Sequence, residues 1–221
     1  MAWAESMGQD SNEQGFTSWR QRGYLPHRDE PGLIQFVTFR LNDSLPESRC
    51  HEWKAFLRIE NYRQQRTQLE EYLDRGHGKC WLRQPAIAAL TEGALRYFDG
   101  QRYQLLAWVI MPNHIHVLVE VWQTPMAKIL RSWKGYIAHA ANKVLQRQGS
   151  FWEREYWDTY MRNEEQLARA RRYIEQNPVK AGLIREPKGW LWGSARFRGE
   201  DWKLVLPRGA AVPPALIGQR L

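Results

Sequence analysis

Two short stretches of this chain carry side chains able to do chemistry. The first is His114-Ile115-His116. If this run is a β-strand, alternation sends both imidazoles to one face and Ile115 with Val117 to the other. Two imidazoles at i, i+2 on a rigid strand form half of a metal site, needing one or two further ligands from elsewhere. The second stretch is Tyr173-Ile174-Glu175-Gln176-Asn177-Pro178-Val179-Lys180. On a helix, Tyr173 and Asn177 stand at i, i+4 and share a face about one turn apart. A tyrosine hydroxyl can serve as a nucleophile, and an amide oxygen is a neutral, hard metal ligand. Arg169, Arg172 and Lys180 add positive charge around Tyr173, suited to a phosphate backbone.

Each stretch has a structural alternative. The histidines could be ordinary residues at a hairpin mouth, and Asn177 a helix cap beside a half-buried tyrosine. Pro178 predicts that the helix stops near Asn177, because a residue before proline resists the α region. Taken together the stretches say more. Two histidines and one amide leave coordination positions open for a hard divalent ion that also holds a phosphate oxygen. Mg²⁺ or Mn²⁺ suits this mixed nitrogen and oxygen set better than zinc, which more often recruits cysteine. A histidine-triad nucleotide hydrolase is excluded because position 118 is Leu. A two-histidine phosphoesterase is excluded because there is no second HxT/S motif.

The surrounding pattern predicts what positions these residues. Residues 34–41 (IQFVTFRL) read as a first strand, and Ser44-Leu45-Pro46 opens a helical stretch to about Asp74. Its apolar residues Trp53, Phe56, Leu57, Leu69, Tyr72 and Leu73 recur at roughly helical spacing. A second helix runs from Pro85 to Phe98, with proline at its start and Asp99-Gly100 after its end. Residues 103–111 and 114–122 are strands joined by Pro112-Asn113, a hairpin signal. An amphipathic helix follows over 125–146, then a fourth strand over 151–161, then a helix with Asn163 as N-cap. This order predicts an α+β fold, a ferredoxin-like antiparallel sheet with helices. Residues 1–20 read as a loose arm, 21–200 as one domain and 201–221 as an irregular tail.

Composition narrows the partner. The 221 residues are 43% hydrophobic and 25% charged, a globular balance. No apolar run reaches bilayer length and the N-terminus lacks a signal pattern, so the expected setting is cytoplasmic. Cys50 and Cys80 form no CxxC pair and imply no disulfide framework. Net charge is +8 and the pI is near 9.7, which points to a polyanion. The charge is local: residues 121–198 hold 15 Lys/Arg against 7 Asp/Glu, whereas residues 1–120 hold 14 against 15. Arg outnumbers Lys 24 to 8, and a guanidinium grips phosphate through two parallel hydrogen bonds. Trp133, Trp152, Trp157, Trp190 and Trp192 interleave with these cations, as a surface for single-stranded nucleic acid requires.

MPNHIHVLVE followed by YIEQNPVKAGL resembles the single-tyrosine HUH transposases, in the branch associated with repetitive extragenic palindromes (REPs). The likeness extends over about residues 24–198 and includes LPHRD, FVTFRL, LDRGHGKCWLR, YFDG and FWEREYWDTYMRNEE. It implies that Tyr173 is the nucleophile and that His114, His116 and Asn177 are the metal ligands. It implies cleavage of single-stranded, palindromic hairpin DNA through a 5′-phosphotyrosine, leaving a 3′-OH that can reverse the step. The partner would be hairpin DNA and the assembly a monomer or homodimer, with the site built in cis or across two chains. A non-cutting palindrome binder of the same fold is the alternative. An RNA-recognition module fits poorly, because HIHVLVEV does not supply its aromatic strand motif.

Overall fold

The computed structural model describes residues 15–21, 26–45 and 62–198. Trp53, Phe56 and Leu57 of the first expected helix, Cys50, the arm to residue 14 and the tail from 199 lie outside the described residues. The elements run β1 (Ser18–Gln21), β2 (Pro26–Asp29), β3 (Ile34–Arg40), α1 (Tyr62–Asp74), α2 (Pro85–Arg96), β4 (Tyr103–Ile110), β5 (His114–Val121), α3 (Met126–Val144), β6 (Trp157–Tyr160) and α4 (Glu164–Lys180). Strands β4, β5, β3 and β6 lie side by side in that order as one antiparallel sheet. The fold is α+β, as the pattern predicts.

Strand alternation divides the chain's apolar residues between two faces. Val37, Phe39, Ile115, Val117 and Val119 point to the side where Ile87 and Leu95 of α2 and Ile129, Trp133 and Ile137 of α3 complete a large core. Phe36 and Leu118 point to the other side and pack with Ile174 of α4. In β4 the register shifts between Leu105 and Ala107. That bulge re-phases the strand, so Ala107 and Val109 join the α4 side while Trp108 and Ile110 stay with the large core.

Three expectations need correction. The arm does not extend to residue 20 as a loose segment, since Phe16 is buried in the large core and Ser18–Gln21 pairs with Pro26–Asp29. The fourth strand is shorter than 151–161. Between 151 and 156 side chains compete for the backbone: the Lys134 ammonium donates to the carbonyls of Glu153 (2.6 Å) and Arg154 (2.9 Å). The last helix does not stop at Asn177. Pro178 lies inside α4, which ends at Lys180. A proline there removes one helical hydrogen bond, but the turn beyond it is held by Ala181 N–H donating to the Asn177 carbonyl and Leu183 N–H to the Pro178 carbonyl, both at 2.9 Å. Gly182, with a φ of 69°, then turns the chain away. Asn177 therefore keeps helical geometry, and its i, i+4 relation to Tyr173 holds.

Candidate active site

Strand β5 presents His114 and His116 to the α4 side, with Ile115 and Val117 in the core on the other. Both imidazoles are fully buried, and their Nε2 atoms approach to 3.1 Å. Each outer nitrogen has a partner. His114 Nδ1 lies 2.7 Å from Asn113 Oδ1, and His116 Nδ1 lies 2.8 Å from Thr38 Oγ1 on the adjacent strand.

The Asn113 amide can be oriented from its own contacts. Its Nδ2 donates to the His77 carbonyl at 3.0 Å, so Oδ1 faces His114 and can only accept. His114 Nδ1 therefore carries the proton and its Nε2 presents a lone pair. Burial, and then the charge of Lys180, push the His114 pKa down to about 3. The ring is neutral at ordinary pH, the form that binds a cation. A second lone pair could not face it at 3.1 Å without a proton or cation between them. With no cation, His116 supplies that proton from Nε2 while Thr38 donates to its Nδ1.

Loop 75–80 makes this possible by bringing the His77 carbonyl into place. Gly78 has a φ of 87°, and a Cβ there would stand 2.5 Å from the Asp43 carbonyl oxygen. Only glycine tolerates both the dihedral and the approach. Lys79 N–H then donates to Asp43 Oδ2 at 2.8 Å, fastening the loop.

Helix α4 closes the site from the same chain. The Tyr173 ring stands edge-on to His116 with centroids 5.5 Å apart and to Phe36 at 5.9 Å, and its hydroxyl is buried. Asn177 is fully buried; its amide makes no hydrogen bond of good geometry among the described residues, although it lies near enough to the Asp74 carboxyl to pull that group's pKa down. An unmet buried polar group costs roughly 1–3 kcal/mol, so this amide fits a ligand rather than a structural role. Among the described residues no three His, Cys, Asp or Glu side chains gather into a metal cage. A cation would rest on the two Nε2 atoms and Asn177 Oδ1, and the donor chemistry suits a hard ion completed by substrate oxygens.

The three basic residues expected to meet DNA separate. Arg169 is exposed and pairs with Glu165 at 2.8 Å, and Arg172 is exposed. Lys180 instead turns into the site: its Nζ lies 3.1 Å from Asp74 Oδ2 and 5.5 Å from the Tyr173 ring centroid. Asp74, the last residue of α1, places Oδ1 4.0 Å from His114 Nε2, and burial raises its pKa against the pull of Lys180. Sequence reasoning missed Asp74, Asn113 and Thr38. Asn113 read only as turn chemistry, and nothing in the spacing marks an aspartate 40 residues before His114.

The chain is similar to known transposases in sequence and in fold. The family described as Transposase IS200 like matches residues 80–177, from just before α2 to Asn177. A protein of Haemophilus influenzae named a REP-associated tyrosine transposase is 26% identical over 117 residues, 45% of this chain and 66% of that protein. The REP-associated tyrosine transposase of Escherichia coli is 26% identical over 106 residues, 46% of this chain and 59% of that protein. The matched region thus spans less than two thirds of the length of either relative. A solved structure of a REP-associated tyrosine transposase bound to a REP hairpin shares the fold, with a TM-score of 0.50, 17% identity and coverage of 80% of this chain and 84% of that one. Residues 80–177 thus match the IS200-like transposase family, and the chain is similar in sequence to REP-associated tyrosine transposases and in fold to the solved one.

Proposed function

We propose that this chain cleaves and rejoins single-stranded DNA at palindromic, REP-like hairpins through a 5′-phosphotyrosine on Tyr173. One observation carries the reading: the Tyr173 ring packs on His116, whose Nε2 meets that of His114 at 3.1 Å, with the fully buried Asn177 amide one helical turn away. That the solved neighbour is bound to a REP hairpin supports hairpin DNA as the partner.

The Tyr173 Oη would attack the scissile phosphorus, forming the P–Oη bond as the P–O3′ bond breaks. The phenolic proton passes to solvent and the departing 3′ oxygen takes one up. The 3′-OH can then attack the phosphotyrosine, so rejoining needs no external energy source. A free tyrosine with a pKa of about 10 is a poor nucleophile at neutral pH, so in-line placement by α4 must supply much of the acceleration. Mg²⁺ or Mn²⁺ held by His114, His116 and Asn177 would supply Lewis-acid polarisation of a phosphate oxygen. Thr38 and Asn113 keep both rings in the orientation such an ion needs.

Purified protein incubated with end-labelled hairpin DNA, with and without Mn²⁺, and resolved on a denaturing gel tests this. A band at protein-plus-DNA mass, dependent on metal and absent in Tyr173→Phe, is the expected result. Tight binding with no such band across hairpins from the gene's own neighbourhood would replace it with a non-cutting palindrome binder.

A further inference from the structure

We propose that Lys180 is a catalytic cation that binds the scissile phosphate beside Tyr173, and that Asp74 is the positioning residue that aims it. The inference rests on Tyr173 being the nucleophile, as proposed above. Lys180 stands seven residues after Tyr173 on α4, so the two share a face two turns apart. Its ammonium is within 5.5 Å of the tyrosine ring centroid, the range in which a cation interacts with an aromatic face.

The ion pair is asymmetric in a telling way. The Asp74 side chain is only 11% exposed, whereas that of Lys180 is 47% exposed. A nearly buried carboxylate is costly without a partner, and Lys180 offsets that cost at 3.1 Å. An ammonium has three donors. The ammonium faces Asp74 as an ion pair at 3.1 Å, and its solvent side leaves donors open to an incoming phosphate. The contact also links the end of α1 to the end of α4 and draws the half-exposed ammonium toward the site. Arg169, four residues before Tyr173, shows the contrast: its charge is spent on Glu165 at the surface.

The chemistry needs a positive charge at this place. As Oη attacks, negative charge builds on the phosphate oxygens, and in the reverse step the departing oxygen is the Tyr173 phenolate. An ammonium beside the ring stabilises both, and no atom is transferred to or from Lys180.

The test uses the full chain, its single-turnover cleavage of labelled hairpin DNA, its hairpin affinity, and Mn²⁺ affinity measured by electron paramagnetic resonance. Lys180→Met is expected to slow cleavage about 100-fold, the scale for removing one preorganised electrostatic donor. Mn²⁺ and hairpin affinities should stay within about threefold, since the metal donors are intact and one phosphate contact of many is lost. Lys180→Arg should recover at least a tenfold part of the rate. Asp74→Asn should slow cleavage less than Lys180→Met, and the double variant should be no slower than Lys180→Met alone, as for residues acting as one unit.

Cleavage by Lys180→Met at the wild-type rate would overturn the proposal, as would an additive double variant. A tenfold loss of Mn²⁺ affinity in Asp74→Asn alone would overturn it too, placing Asp74 in the metal shell. If Asp74→Asn fails to fold, the Lys180→Met and Lys180→Arg pair still decides the catalytic cation. Absence of any wild-type adduct is a separate result, which removes the nucleophile reading and this proposal with it.

Discussion

Strand β5 belongs to two unlike environments at once. On one side Ile115, Val117 and Val119 enter the large core beneath α2 and α3, where Trp133 stacks on Phe39 and donates from Nε1 to the Tyr103 hydroxyl at 2.9 Å. On the other, His114, His116 and Leu118 meet α4, and the apolar packing is reduced to a small cluster around Phe36, Met111 and Ile174. There buried imidazoles, a buried amide and a nearly buried carboxylate take the space that hydrophobic side chains would fill. The difference teaches that one face stabilises the fold while the other gives up apolar packing to buried polar groups. Real proteins concentrate such violations of packing rules at functional sites.

That division can be broken from either side. Trp133→Ala should give the largest effect, a loss of about 3–5 kcal/mol of unfolding free energy from cavity formation in the α3 core. Urea denaturation would measure it, and the Mn²⁺ affinity of the folded fraction should not change. If both fall together, the two faces are not energetically separate. Asn113→Ala should act chiefly at the site. It removes the acceptor that fixes the His114 tautomer, so Mn²⁺ binding should weaken about 10–100-fold, while the buried His114 N–H left unpaired should cost about 1–3 kcal/mol of unfolding free energy, less than Trp133→Ala.

The smallest effect sharpens the contrast through pH. Folding depresses the His114 pKa from the usual 6.5 to about 3. The folded form thus rejects a proton that the unfolded form accepts, so this contribution is complete above pH 6.5 and is lost as pH falls toward 3. Between pH 7.5 and 5.5, in chelator, it amounts to roughly 1–2 kcal/mol. His114→Gln should remove that part of the pH dependence in urea titrations. An equal loss in wild type and variant would assign it to another group.

How much of this was legible in the chain depends on the range of the interaction. Alternation in FVTFR and HIHVLVEV was enough to place β3 and β5, because period-two patterning is set by which face of a strand is buried. The same alternation put both histidines on one side. The i, i+4 spacing of Tyr173 and Asn177 was legible too, although Pro178 pointed to an earlier helix end. The proline rule describes local strain, and the hydrogen bonds of Ala181 and Leu183 beyond it carry the helix on. The strand expected over 151–161 failed for a related reason: the Lys134 ammonium, far away in sequence, satisfies carbonyls that a ladder would otherwise use.

By itself the sequence determined the element order from β3 onward, the α+β class, the shared face of the two imidazoles and the helical pairing of the tyrosine with an amide. All of these follow from periodicity along a single element. Only the tertiary structure decided that the elements meet within one chain, that Asn113 holds His114 through an amide anchored by the His77 carbonyl, and that Lys180, half exposed, reaches Asp74. The contacts of His77 with Asn113 and of Asp74 with Lys180 join residues 36 and 106 positions apart. No local pattern encodes such distances; they arise when a sheet with two differently covered faces brings the ends of α1, β5 and α4 to one point.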